Sequence, residues 1–490
     1  MNYPVPGPQG LAALEARLAD DLSLLELPAK SWVPERLVEG QRVLDVVLIG
    51  GGMCGLTAAA ALRLLGVDNL LCLDRAPAGL EGPWETFARM ETLRSPKQLT
   101  GPALGLPALT FRAWYRAQFG EAAWDQLDKI PKGQWMDYLR WYRRVLSLPV
   151  RNQTAVERIE PQADGLFRVE FRDTASGETG HYLARRVVLA NGRDGLGGPW
   201  VPAWAHDLPA GRWAHSADEI DFAALRGKRL AVIGAGASAM DNAATALEQG
   251  AGSVSMLIRR ADLPRVNKFT GIASQGVVHG FAALSDEWKW TFLLHTLNAQ
   301  TPPPRDSTLR VSRHPSATFW LNSPVLHAEA TEGGLCLHTP RRQHEVDFVI
   351  FATGFRLDFS RKPELAAFAP HIRLWRDVHT VEPERQSEEL ATSPYLGNGF
   401  EFTEREPGSC PALRHLYCFN YPSTLSHGKL SGDIPAVSDG ARRLAQAIVA
   451  SLFTEDRELH YRALVAYDKA ELQGDEWQDA GAAGGNDGRA

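Results

Sequence analysis

The sequence predicts an α/β protein of two Rossmann-like, three-layer units, with the second inserted into the first. Three observations predict it. Val46-Val47-Leu48-Ile49 runs into Gly50-Gly51-Gly52-Met53-Cys54-Gly55, and an Ala-rich stretch follows. Leu230-Ala231-Val232-Ile233 runs into Gly234-Ala235-Gly236-Ala237-Ser238-Ala239 in the same way, so the design at Gly50 recurs at Gly234. Each unit then closes on an apolar run that ends in small residues, Ala190-Asn191-Gly192 and Ala352-Thr353-Gly354.

The glycine pattern has a physical reading only in this strand–turn–helix context. The first glycine permits the tight turn, the second lets a pyrophosphate approach the backbone, and a small third residue lets helix and strand pack. Gly50, Gly52, Met53, Cys54 and Gly55 therefore form one candidate dinucleotide turn, and Gly234, Gly236 and Ser238 a second. The first unit is expected to run through strand 44–49, a helix near 54–65 and strand 69–73. That strand ends at Asp74, at the distance from Gly50 where an acid holds ribose hydroxyls; Arg75 follows. The second runs through strand 229–233, a helix near 238–249 and strand 253–258, and ends in Arg259-Arg260. Arginine grips a ribose 2′-phosphate bidentately, whereas an acid would repel it. The unequal strand ends assign FAD to the first turn and NADPH to the second; the arginine pair reads also as merely solvated, which leaves NADH as the alternative. Ser238 reads either as a phosphate ligand at a helix N-terminus or as a plain N-cap.

The remaining segments fit around these units. Leu11, Leu14, Leu18, Leu22 and Leu25 mark an amphipathic helix in the arm 1–40. Eleven aromatic residues between Trp84 and Tyr142 read mainly as core. Strands are expected at 155–160, 166–172 and 181–190, a linker over 193–228, an exposed Pro-rich loop at 301–316 and a helix near 435–453. The expected domains are 41–205 with 345–472 for FAD and 206–344 for NADPH. A Gly/Ala/Asp-rich tail at 473–490 is expected to be disordered.

Composition narrows the function. The 490 residues are 44% hydrophobic and 22% charged, with a net charge of −6, which gives no electrostatic case for nucleic acid or an anionic membrane. The N-terminus lacks the pattern of a signal peptide, and no apolar run spans a bilayer. Five scattered cysteines without a C-x-x-C fit a reducing, cytoplasmic setting and exclude a dithiol redox centre. No metal cluster is evident. Hydride from NADPH would thus reduce FAD, and the leading outlet for its electrons is dioxygen, through a flavin C4a-hydroperoxide that oxygenates an organic substrate. The alternatives are an NADPH-dependent flavin oxidoreductase without oxygenation and a redox-sensing nucleotide-binding module.

Further motifs resemble the class B flavin-dependent monooxygenases (flavin-containing, Baeyer–Villiger and N-hydroxylating enzymes) over most of 44–455. Glu81-Gly82-Pro83-Trp84 resembles the family's turn beside the flavin, and Trp84 is assigned to it. Pro209-Ala210-Gly211-Arg212-Trp213-Ala214-His215-Ser216 resembles the interdomain signature, with Pro209 where Phe is usual and Glu219 where the Baeyer–Villiger pattern has Trp. Ala352-Thr353-Gly354 matches the linking motif, so Gly354 joins the cofactor set. Pro96-Lys97-Gln98-Leu99-Thr100 and His427-Gly428-Lys429-Leu430-Ser431-Gly432-Asp433 resemble segments of the N-hydroxylating branch. By that likeness Lys97 faces the nicotinamide or substrate and Asp433 meets the ribityl or pyrimidine end of FAD; His427 reads as structural, with a catalytic role as the alternative. Lys97 reads also as a solvated lysine. The resemblance implies oxygenation of an amine, a thioether or a ketone, with O2 and a small molecule as partners and a homodimer compatible with the class.

Overall fold

The computed structural model describes residues 10–480; the far end of the predicted tail lies outside them. Of these, residues 10–449 form one compact body and 450–480 belong to another.

In the first sheet, β1 (Leu44–Ile49) leads through the glycine turn into α1 (Met53–Leu64) and back to β2 (Leu70–Leu73). β1 pairs in parallel with β2 on one side and with β3 (Thr179–Leu189) on the other. β3 serves two neighbours. Its N-terminal half pairs antiparallel with Phe167–Asp173, and its C-terminal end pairs in parallel with Leu416–Cys418. A strand from the far end of the chain therefore reaches the first glycine turn. Near-continuous apolar strands are what a sheet covered on both faces requires. Val47, Ile49, Val187 and Leu189 are buried in one core, and Ala58, Ala59 and Leu62 of α1 are buried on the helix behind the turn.

The second sheet is built on β4 (Arg229–Ile233), α2 (Ala237–Glu248) and β5 (Ser253–Leu257). The chain then makes a small antiparallel sheet from β6 (His327–Thr331), β7 (Gly334–His338) and β8 (Gln343–Val346), and returns as β9 (Phe348–Phe351). The parallel order is Trp213–His215, β9, β4, β5, Ala317–Trp320. One face of this sheet packs on Ala239, Met240 and Ala243 of α2. The opposite face, with Ala231, Val349 and Phe351, packs on Leu335, Leu337 and Val346 of the small sheet, which forms the third layer.

Two expectations need correction. The sequence puts the return to the first domain at 345, but β9 pairs with β4 in the second sheet, and only Phe355–Leu357 pairs back with Gly197–Pro199. The reason is that β9 is to β4 what β3 is to β1: the strand that closes the unit. The loop expected over 301–316 contains a helix, Arg305–Ser312, with Pro304 at its N-cap and Asp306 in its first turn. Prolines before a helix start help to set it, because the N–H groups they lack are unpaired there anyway.

The Leu-patterned arm forms the helix Gly10–Leu24, with Leu14 and Leu18 buried. Its Glu15 accepts from Trp141 Nε1 at 3.0 Å and is held below the usual carboxylate range chiefly by Arg144. The aromatic segment is core as expected: Phe111, Trp135, Tyr138 and Tyr142 are fully buried.

Candidate functional site

The first turn is wired by its acid. Gly51 N–H donates to Asp74 Oδ2 at 2.7 Å, and Ala76 N–H donates to Oδ1 at 2.8 Å. Burial pushes the Asp74 carboxyl above its ordinary value, against these two bonds. The side chain thus ties the end of β2 to the glycine loop. Arg75 beside it is exposed. α1 begins at Met53 with Gly52 at its N-cap, and no side chain caps it. Uncapped N–H groups at a helix N-terminus suit a pyrophosphate. Cys54 Sγ donates to Ser431 O at 3.0 Å, and burial pushes its thiol up to about 12, so it is no nucleophile at neutral pH.

The turn at Glu81–Trp84 is held by a cluster that sequence reading passed over. Glu81, 5% exposed, accepts from Arg143 Nη1 (2.8 Å), Asn152 Nδ2 (2.6 Å) and Gly79 N–H (2.9 Å). A buried carboxylate is tolerable only when paired in this manner. Trp84 is buried and sits edge-on to Trp135, with ring centroids 6.3 Å apart.

On the C-terminal side, Asn420 Nδ2 donates to Asn191 Oδ1 at 2.9 Å and joins the ends of Leu416–Cys418 and β3. Ser431 Oγ donates to Asn420 O at 2.6 Å. His427 stacks on Phe400 at 3.8 Å and donates from Nε2 to Gly397 O at 2.9 Å. Burial, and then Arg443, lower its pKa to about 3. That environment is structural. Asp433 precedes Ile434–Ala436 and the helix Val437–Glu455, with half its side chain exposed and Lys429 Nζ at 3.8 Å.

Lys97 Nζ donates to the carbonyls of Trp124 (2.7 Å) and Asp125 (3.3 Å), at the end of the helix Phe111–Gln126. It also lines a cleft of about 580 Å³ with Arg94, Gln98, Asp125, Asp128 and Lys129. Burial lowers the Arg94 pKa, and the charge of Asp433 opposes that shift.

The second turn repeats the first. Gly236 is the N-cap of α2, again without a side-chain cap, and no protein atom lies within 4 Å of where its β-carbon would be. The N-cap reading of Ser238 therefore fails: the residue sits further into the helix, exposed, and its carbonyl accepts from Asn242. The arginine pair is divided. Arg260 donates to Asn298 O at 3.3 and 3.2 Å, whereas Arg259 is exposed at the end of β5. Gly354 has φ +85° with open space around it, and Thr353 Oγ1 donates to Trp200 O. Arg89, also unanticipated, donates to Phe87 O (2.6 Å), Ser216 O (2.8 Å) and Asp218 O (2.7 Å). It clamps the segment after Trp84 to the signature linker, where Ala217 N–H donates to the buried His215 Nδ1.

Comparison with known proteins agrees with this architecture. The family profile described as pyridine nucleotide-disulphide oxidoreductase matches residues 47–270. The FAD-dependent urate hydroxylase of Xanthomonas campestris pv. campestris is 43% identical over 467 residues, covering 95% of this chain and 98% of its own length. The ornithine hydroxylase of Pseudomonas aeruginosa superposes with a TM-score of 0.64 at 19% identity, over 84% of this chain and 100% of that one. The ornithine N-hydroxylase of Kutzneria sp. 744, in a structure with reduced FAD, NADP+ and L-ornithine, gives 0.63 at 18% identity, over 84% and 100%. These two structures share the fold. The hydroxylase relative, aligned over nearly the whole of both chains, makes this a flavin-dependent monooxygenase. The chain belongs to the family of the Xanthomonas FAD-dependent urate hydroxylase, with which it aligns over 95% of its length.

All five cysteines are free. Among the described residues no helix is long and apolar enough to cross a membrane.

Proposed function

We propose that the chain is an NADPH-dependent FAD monooxygenase that hydroxylates a small, electron-rich oxopurine of the urate class. The observation that carries the proposal is the pair of uncapped glycine turns with opposite strand ends, Asp74 and Arg259, in a chain 43% identical to a urate hydroxylase. Bound FAD supplies the activation of dioxygen, after reduction by the nicotinamide.

The residues have distinct roles in this reading. Gly50, Gly52, Met53, Cys54 and Gly55 hold the FAD pyrophosphate on the α1 N-terminus, and Asp74 with Arg75 the adenosine end. Asp433 and Trp84 lie toward the flavin end. Gly234, Gly236 and Ser238 hold the NADPH pyrophosphate, Arg259 the 2′-phosphate, and Gly354 marks the backbone approach between the halves. Arg260 holds the last turn of the helix Asp286–Ala299 through Asn298 O. The cleft beside Lys97 would take the substrate: Arg94 offers donors, Asp125 and Asp128 acceptors and Gln98 both, while Lys97 and Lys129 are held on the Trp124 carbonyl and on Asp306. A lactam heterocycle alternates N–H and C=O around its edge, and such a mixed lining matches it. The enzyme acts in the cytoplasm.

The electron-rich C4–C5 bond of an oxopurine is a carbon nucleophile. Amines, thioethers and ketones remain the alternative substrates of the class, and a flavin reductase without oxygenation is the alternative activity. The test supplies FAD-loaded protein with NADPH and oxygen against urate, amines, sulfides and ketones, and follows both NADPH and product. Hydroxylated urate in near-equal amount to NADPH consumed is expected. Hydrogen peroxide alone with every compound would establish the reductase instead.

A further inference from the structure

The small antiparallel sheet has two unlike faces. Leu335, Leu337 and Val346 point into the core of the second unit. Strand alternation puts His327, Glu329, Cys336, His338, Gln343 and Glu345 on the other face, and the register aligns them: His327 opposite His338, Glu329 opposite Cys336, Cys336 opposite Glu345 and His338 opposite Gln343. The ligand atoms of Glu329, Cys336 and His338 all lie within 4.8 Å of one another. His338 Nε2 is 3.0 Å from Glu329 Oε1.

We propose that Glu329, Cys336 and His338 form a zinc site, separate from the two dinucleotide turns. A thiolate, an imidazole and a carboxylate make a donor set that selects zinc over calcium or magnesium, and three protein ligands leave the fourth tetrahedral position to water. Tetrahedral zinc with bonds of about 2.0–2.3 Å sets ligand atoms roughly 3.3–3.8 Å apart. The three atoms therefore need only small side-chain rotations, mostly of Glu329, whose side chain is 61% exposed, while the strands stay in place.

The surroundings support a cation. Cys336 is buried and stands across the sheet from Glu329 on one side and Glu345 on the other. Arg229 Nη1 stands 3.5 Å from Glu345, so that carboxylate is paired, while among the described residues Glu329 pairs on this face with the imidazole. Gln343 Nε2 lies 3.3 Å from His338 Nδ1. Its amide can present oxygen instead, accept the Nδ1 proton and so orient Nε2 to the metal, the usual outer support of a metal-bound histidine. The ring of His327 stacks on His338 at 4.0 Å and holds it in the plane of the site. Bound zinc would pin β6 to β7 next to β8, the strand that leads into β9 and Gly354. Metal held by the folded sheet alone would stabilise the second unit by mass action.

The experiment uses metal-stripped, FAD-loaded full chain, titrated with zinc against a chromophoric chelator, with cobalt substitution as a second probe. One zinc per chain at a dissociation constant of about 1 μM or tighter is expected, with a thiolate-to-cobalt absorption band and a rise in Tm on adding zinc. Cys336→Ser, nearly isosteric, should abolish the cobalt band and weaken zinc binding at least tenfold, at unchanged flavin content and far-UV spectrum. His338→Ala should do likewise, and Cys410→Ser should bind as the parent does. Absence of binding at 10 μM zinc, or stoichiometric binding unaltered by Cys336→Ser, would overturn the site. Neither outcome bears on the oxygenation reading, because none of these residues lies in the dinucleotide turns or the cleft.

Discussion

A β-carbon on Gly50 would stand 2.5 Å from the carbonyl oxygen of Ala190, and one on Gly234 would stand 2.5 Å from that of Ala352. The two turns press on their closing strands in the same way. Both glycines also have positive φ, +108° and +141°. Gly50→Ala therefore meets backbone, which cannot yield, in a conformation costly to any L residue. We expect a loss on the order of 2–3 kcal/mol in unfolding free energy, and purified protein largely without flavin absorbance. Gly236→Ala has no protein neighbour to meet. Its Tm should stay at the parent value while NADPH affinity falls about tenfold, or roughly 1.4 kcal/mol. Equal losses of Tm in the two variants would show that Gly236 is packed, not open to a ligand.

The arginine pair yields an unequal prediction. Arg259→Ala should lower the preference for NADPH over NADH by about 10–100-fold, the equivalent of one or two charge-assisted hydrogen bonds. Arg260→Ala removes bonds to Asn298 O and should move the preference less and thermal stability more. Michaelis constants for both nucleotides, measured in each variant, check this. An unchanged preference in both would remove the phosphate assignment.

His427 sets an acid limb on stability. Its folded pKa of about 3 lies below the ordinary histidine value of 6.5, so the unfolded chain binds the proton first. The contribution is complete above pH 6.5 and is lost as pH falls from there toward 3. His427→Gln should flatten that limb in a denaturation series from pH 7 to 4. It should leave the pH profile of turnover above pH 5 without a lost inflection, because the ring does not titrate there.

Cys54 tests the electron route. Its thiol is held protonated by burial, and its Sγ–H is given to Ser431 O. Cys54→Ser should retain NADPH oxidation within about threefold, because a hydroxyl keeps that hydrogen bond. Loss of NADPH oxidation at normal flavin content would point to thiol chemistry after all.

Much of this protein is legible in its residues because the chemistry is local. A glycine turn needs a strand before it and a helix after it, and the acid or arginine to which the nucleotide preference is assigned stands at the end of the next strand. Each strand–turn–helix–strand unit is one short, continuous stretch, so both turns and the Asp74–Arg259 contrast are written in neighbouring residues, as is the lack of a cysteine pair. What needed the tertiary structure is whatever depends on which distant strands pair. β9 belongs to the second sheet because it completes the β4 turn as β3 completes that of β1, and no residue near 345 marks the boundary. Arg89, Glu81 and the Asn191–Asn420 bond join segments 62 to 229 residues apart. The fates of Arg259 and Arg260, adjacent and chemically alike, were decided by a helix end at Asn298 packed beside one of them. Glu329, Cys336 and His338 carry no motif spacing; only the register of two antiparallel strands gathers them on one face. Local sterics and capping are written in adjacent residues, whereas register and long-range packing arise only when the whole chain closes.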